Sequence, residues 1–99
     1  MQKNTILVVD DEVSILTLMK QAFSRAGYEV RTADSAKAAL EILEDEKIHV
    51  MFLDLNMPEM NGLELCRRIR KDMPMAIIIA MTGHASLFEL ADCREAGFD

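Results

Sequence analysis

The sequence predicts an open α/β fold, a four-stranded parallel sheet wound in the order 2-1-3-4 with helices on both faces. Three observations predict it. The aliphatic runs Ile6-Leu7-Val8-Val9 and Val50-Met51-Phe52-Leu53 contain no polar residue, as strands buried on both faces of a parallel sheet require. Single segments of helical period separate the strands, and right-handed crossovers then distribute helices over both faces. Finally, the two runs end in Asp10-Asp11 and in Asp54, which delivers carboxylates to the edge where open α/β folds bind ligands. For these acidic ends to meet, strands one and three must be neighbours, and the order 2-1-3-4 makes them so.

Each element follows in turn. Ile6 to Val9 is the first strand. Residues 12 to 26 form a helix with Val13, Leu16, Met19 and Phe23 on one face, N-capped by Asp11 and closed by Gly27 in a left-handed conformation. Tyr28 to Thr32 is a short strand with Tyr28 and Val30 inward. Ser35 caps a second helix whose Ala36, Ala39, Leu40 and Leu43 share a face. Ile48 to Leu53 is the third strand, Asp54 to Asn61 a loop, and Leu63 to Lys71 a third helix carrying Leu65, Cys66 and Ile69. Asp72-Met73-Pro74 stops that helix, because a residue before proline avoids the helical region. Met75 to Met81 is the fourth strand, and residues 85 to 96 form a fourth helix with Leu87, Leu90 and Ala91.

A chain of 99 residues is one small domain. With 51% hydrophobic but only 5% aromatic residues, its core must be aliphatic, methionine and alanine. The net charge of −6 argues against nucleic acid and anionic membrane as partners. No apolar stretch approaches the roughly 20 residues that span a bilayer, and Met1 to Thr5 lacks a signal-peptide layout. Cys66 and Cys93 fall in helices without metal-type spacing, so free thiols in a reducing cytoplasm are expected. Lys37, Glu41, Glu44, Asp45, Glu46 and Lys47 read as a solvated helix face, and His49 as a surface residue.

The segment Arg25-Ala26-Gly27-Tyr28-Glu29 leaves a helix and enters a strand, and Arg94-Glu95-Ala96-Gly97-Phe98-Asp99 repeats that signal where the sequence stops. A fifth strand is therefore expected but missing, as in a truncated domain or one whose edge a partner covers. Without it the strand 75–81 is an exposed apolar edge, open to homodimerisation or strand exchange.

Three carboxylates on one edge repel each other, each pair by about 4 kcal/mol at about 4 Å and an effective dielectric of about 20. A hard divalent cation relieves this, and an all-oxygen donor set favours Mg²⁺ over zinc. No Ser-His or Cys-His arrangement offers a hydrolase triad, but an aspartate can itself be the nucleophile and form an aspartyl-phosphate. In-line phosphoryl transfer then needs mainly positioning and charge neutralisation. Thr82-Gly83, after the fourth strand, would supply a hydroxyl for a phosphoryl oxygen and room for the group.

These motifs resemble the receiver domain of two-component response regulators, a flavodoxin-like fold. The resemblance rests on Asp10-Asp11, on Asp54-Leu55-Asn56-Met57-Pro58-Glu59-Met60-Asn61-Gly62, and on Thr82-Gly83-His84-Ala85, in the family's order and spacing. It implies that Asp54 takes a phosphoryl group from a phosphohistidine on a sensor histidine kinase or phosphotransfer protein. It also implies that Asp11, Asp54 and the backbone carbonyl of Asn56 bind Mg²⁺ (or Mn²⁺), that Asp10 helps through water, and that Thr82 is the switch hydroxyl. The family's fifth strand, with its aromatic switch residue and site lysine, and the last helix after it would lie beyond Asp99. Pro58 stiffens the loop after Asp54, and Gly62 answers a positive φ or a close approach. His84 is either a tuner of dephosphorylation or a solvated loop residue. A phosphorylation-independent pseudo-receiver, acting as a protein-interaction module, is the alternative. An aspartate-dependent phosphatase would place its nucleophile after the first strand, and a flavin-binding domain would want glycine and hydroxyls after Val9.

Overall fold

The computed structural model describes residues 4–81 and 87–99, with 87–90 as backbone alone. Strands and helices alternate: β1 (Thr5–Val9), α1 (Val13–Arg25), β2 (Glu29–Ala33), α2 (Ala36–Asp45), β3 (Val50–Asp54), α3 (Gly62–Asp72), β4 (Ile77–Met81) and α4 (Leu87–Ala96). The strands are parallel and lie in the order β2-β1-β3-β4, as the convergence of the acidic ends requires. Val9 of β1 stands opposite Ala33 of β2 and Leu53 of β3.

Strand alternation splits the apolar residues between two layers. Leu7, Val9, Met51, Leu53 and Ile78 face Ala36 and Ala39 of α2, Leu65, Cys66 and Ile69 of α3, and Ala96 of α4. On the opposite face, Ile6, Val8 and Val30 pack under Leu16, Met19 and Phe23 of α1, beside Val50, Phe52 and Met81. Leu7, Met51, Leu53, Leu65 and Ile78 are fully buried, and each contributes about 1.5–3 kcal/mol of apolar transfer.

The helix ends show local chemistry at work. Ser35 Oγ accepts the Ala38 N–H at 3.1 Å, and Asn61 Oδ1 accepts the Glu64 N–H at 3.0 Å, each satisfying a donor the first helical turn leaves open. Gly27 has φ +96°, the left-handed closure expected after α1.

Some expectations are corrected. Asp11 does not cap α1: the N-cap is Glu12, without a side-chain cap bond. Instead Asp10 Oδ1 accepts the Glu12 N–H at 2.9 Å, so Asp10 organises the turn and Asp11 is left for the cluster. Val13, the first residue of α1, is 69% exposed, because a helix's opening residue precedes its contact with the sheet. Tyr28 is also exposed, lying before β2 with its ring edge against Phe23 at 6.3 Å. Glu46 is not merely solvated, for its carboxylate accepts from Arg31 Nε at 3.0 Å. β4 begins at Ile77 rather than Met75, which projects into solvent.

The outer side of β4 holds an arrangement invisible in the sequence. The Asp99 N–H donates to the Ile78 carbonyl at 2.8 Å, and the Asp99 carboxylate accepts the Ile78 N–H at 2.7 Å. Arg70 of α3 locks this contact, donating to Asp99 Oδ2 at 2.7 Å and to the carbonyls of Gly97, Pro74 and Ala76. Asp99 is consequently held below the usual carboxylate range, first by the Ile78 amide and then by Arg70.

Candidate functional site

The pairing of β1 with β3 builds the site. Asp10 follows Val9, Asp54 ends β3, and Val9 stands opposite Leu53. Carboxylate oxygens of Asp10, Asp11 and Asp54 lie within 4.8 Å of one another. The sequence placed these three residues together, and the structure does the same. Asp10 is buried, Asp54 half-buried and Asp11 exposed, so the cluster is rooted in the sheet and open on one side.

Two aspartates are tied to the backbone that follows them. Asp10 holds the Glu12 N–H, and Asp54 Oδ1 accepts the Asn56 N–H at 3.1 Å. The Asn56 bond orients the Asp54 carboxylate within its own loop, a role the sequence reading did not see. The Asp54 carboxyl is pushed up to about 6. Burial is the main cause, and the negative charges of Asp10 and Asp11 add to it, together with a hydrogen bond to Asp11, against the lowering effect of the Asn56 N–H. Such a group wants either a proton or a cation. The oxygen-only donor set suits Mg²⁺, Mn²⁺ or Ca²⁺ rather than zinc.

Beyond Asp54 the ladder continues, since the Leu55 N–H donates to the Met81 carbonyl at 3.1 Å. Asp54 itself stands opposite Met81, the residue before Thr82. Thr82, Gly83, His84 and Ala85 lie outside the described residues. Asn56 is exposed, Met57 buried and Pro58 exposed. Glu59 adopts φ +69°, a left-handed turn position that a glutamate does not advertise in sequence. A cavity of about 490 Å³ lined by Phe23, Tyr28, Lys47, His49 and Phe52 opens at the other end of the sheet, with no carboxylate among the described residues that line it.

Residues 6–99 match the family model described as the response regulator receiver domain. The chain belongs to this family. It is 38% identical over 94 residues to the alkaline phosphatase synthesis transcriptional regulatory protein of Bacillus subtilis, covering 95% of this chain and 39% of that protein. It is 34% identical to the DNA-binding transcriptional regulator NtrC of Proteus hauseri, covering 98% of this chain and 20% of that one. The chain thus spans well under half the length of these relatives. Among solved structures, a CheY-like receiver domain protein of Methanospirillum hungatei superposes with a TM-score of 0.93 at 36% identity, over 99% of this chain and 78% of that one. A response regulator of Burkholderia pseudomallei, solved with a phosphorylated aspartic acid and a calcium ion, superposes with a TM-score of 0.90 at 29% identity, over 97% and 56%.

Receiver domains are signalling domains rather than enzymes that turn over an external substrate. Receiver domains hold Mg²⁺ in an acidic pocket, and the cluster of Asp10, Asp11 and Asp54 has that composition. No described helix is long and apolar enough to cross a membrane.

Proposed function

We propose that this receiver domain is a phosphorylation-dependent switch in which Asp54 accepts a phosphoryl group from a phosphohistidine of a sensor histidine kinase or phosphotransfer protein. The observation that carries the reading is the meeting of three carboxylates from two neighbouring strands within 4.8 Å, with Asp54 half-buried and pushed up to about 6. At neutral pH Asp54 is ionised and nucleophilic. One of its carboxylate oxygens attacks phosphorus in line, the P–N bond to the donor histidine breaks, and that imidazole nitrogen keeps the bonding pair and takes up a proton. Asp11, Asp54 and the Asn56 carbonyl would hold Mg²⁺, with Asp10 supporting through water. When bound, the ion neutralises charge on the phosphoryl oxygens and on the cluster.

Asp10 and Asp54 keep their orientation through the Glu12 and Asn56 amides, so each leaves one oxygen free of those bonds. Thr82 would receive a phosphoryl oxygen as the switch hydroxyl. The aspartyl-phosphate of the Burkholderia relative supports assigning the same modification to Asp54. Homodimerisation at the β4 edge would have to displace Asp99 from Ile78. A two-component relay of this kind implies a cytoplasmic setting.

Incubation with acetyl phosphate and Mg²⁺, followed by intact-mass measurement, tests the assignment. The expected result is a gain of one phosphoryl group that is absent in Asp54→Asn. No gain at any Mg²⁺ concentration would instead support the pseudo-receiver, in which the fold serves as a protein-interaction module.

A further inference from the structure

We propose that Gly62, the first residue of α3, is a positioning residue for the cation site, acting through the backbone of Asp54 and Leu55. The proposal rests on reading Asp10, Asp11 and Asp54 as that site. A Cβ built on Gly62 would collide with the Asp54 carbonyl oxygen, and it would lie 2.9 Å from the Asp54 carbonyl carbon and 3.0 Å from Leu55 Cα. All three obstacles are backbone atoms, so no side-chain rotation relieves the clash.

The same junction carries a hydrogen bond, from the Gly62 N–H to the Leu55 carbonyl at 3.3 Å. Residues 55 and 62 are therefore the two ends of a closed loop, and its interior turns on the left-handed Glu59. One end of that loop is fastened to Asp54 through the Asn56 N–H and to β4 through the Leu55 N–H. The other end is fastened to α3 by the Asn61 cap. Only a residue without a side chain lets the helix start close against β3, and that closure sets where the backbone at 54–56 stands relative to the Asp10-Asp11 turn. Any larger residue has to push the helix away or drag the Asp54 backbone with it. Supporting residues around a cation typically alter its affinity by about 10–100-fold when changed.

Gly27 is a matched control. It needs its glycine for a different reason, a left-handed φ of +96°, and a Cβ there would meet no atom within 4 Å. It lies in the α1–β2 turn, at the far end of the sheet from the carboxylates. Gly27→Ala therefore strains the fold without touching the cluster.

The test is Mg²⁺ titration of wild type, Gly62→Ala and Gly27→Ala, followed by thermal melting and by amide NMR. Gly62→Ala should raise the Mg²⁺ midpoint at least about tenfold, while Gly27→Ala loses melting temperature and keeps the wild-type midpoint. An unchanged midpoint in folded Gly62→Ala overturns the proposal while leaving the cation site standing. A wild-type protein that ignores Mg²⁺ overturns the cation site, and the proposal with it. Should Gly62→Ala not fold, the wild-type spectrum decides. The Gly62 amide resonance should move with the same midpoint as that of Asn56, and a Gly62 amide that stays still through saturation refutes the proposal.

Discussion

Replacing Asp54 with asparagine should stabilise the metal-free protein, although it destroys the proposed phosphoacceptor. The folded chain holds the Asp54 proton up to about 6, against 3.8 for the free side chain. Between those values the folded state binds more protons than the unfolded state, so stability falls as pH rises through the window. A shift of about two units corresponds to about 3 kcal/mol, and solvent screening at the open side of the cluster reduces this to about 1–2 kcal/mol. Asparagine keeps an oxygen for the Asn56 N–H but carries no charge for burial to penalise or for Asp10 and Asp11 to repel. In chelator at about pH 8, Asp54→Asn should therefore melt about 5–10 °C above wild type. At about pH 4 the penalty in wild type falls to about one fifth of its full value, and the two curves should nearly coincide. Thermal or urea unfolding of both proteins at the two pH values makes the comparison, and carboxylates outside the cluster cancel in the difference. An equal gain at both pH values, or a loss at the higher one, refutes the electrostatic account.

Saturating Mg²⁺ should reverse that ranking, stabilising wild type by about 2.7 kcal/mol at a hundredfold excess over Kd, and Asp11→Ala should abolish the shift. A full shift in that variant would remove Asp11 from the site. Ser35→Ala deletes the α2 cap and should cost about 1 kcal/mol in urea unfolding with the Mg²⁺ midpoint unchanged. Arg70→Ala frees Asp99 and the carbonyls of Gly97, Met73, Pro74 and Ala76 at once. It should cost roughly 2 kcal/mol and speed hydrogen exchange at the Ile78 amide, whereas slow exchange at Ile78 would contradict the clamp. Because Asp99 is held below its ordinary range, its contribution is full above the ordinary carboxylate pKa. That contribution disappears as pH falls through the lowered one, and the Ile78 amide should report the loss.

Much of the site was legible because its logic is one-dimensional. An unbroken aliphatic run that ends in aspartate fixes both the direction of a strand and the edge at which its carboxylate emerges. Two such runs then demand adjacency, and the order β2-β1-β3-β4 satisfies the demand. Ser35 and Gly27 were readable for the same reason, since caps and left-handed closures are written within a few residues. What escaped depends on contacts that sequence spacing does not encode. Arg70 and Asp99 are 29 residues apart, and nothing local in either segment announces the other. Tyr28 looked like strand because aromatics favour strands, yet β2 starts one residue later and the ring rests on Phe23 instead. Val13 fitted the helical period, but periodicity cannot tell which turn of a helix first reaches the sheet. At Gly62 the pattern said only that a glycine was needed, while the structure shows that the Asp54 backbone is what needs it.

The attachment of Asp99 to Ile78 has a consequence for how these molecules behave in crowded solution. Both polar groups that Ile78 turns outward are taken by a single residue, so a foreign chain cannot read that rung as a template. To add itself there it would have to expel a carboxylate already gripped by a guanidinium. Accretion of like molecules into a continuous ribbon is thus interrupted near the start of β4, and acid, by discharging that carboxylate, would be the condition under which the interruption fails.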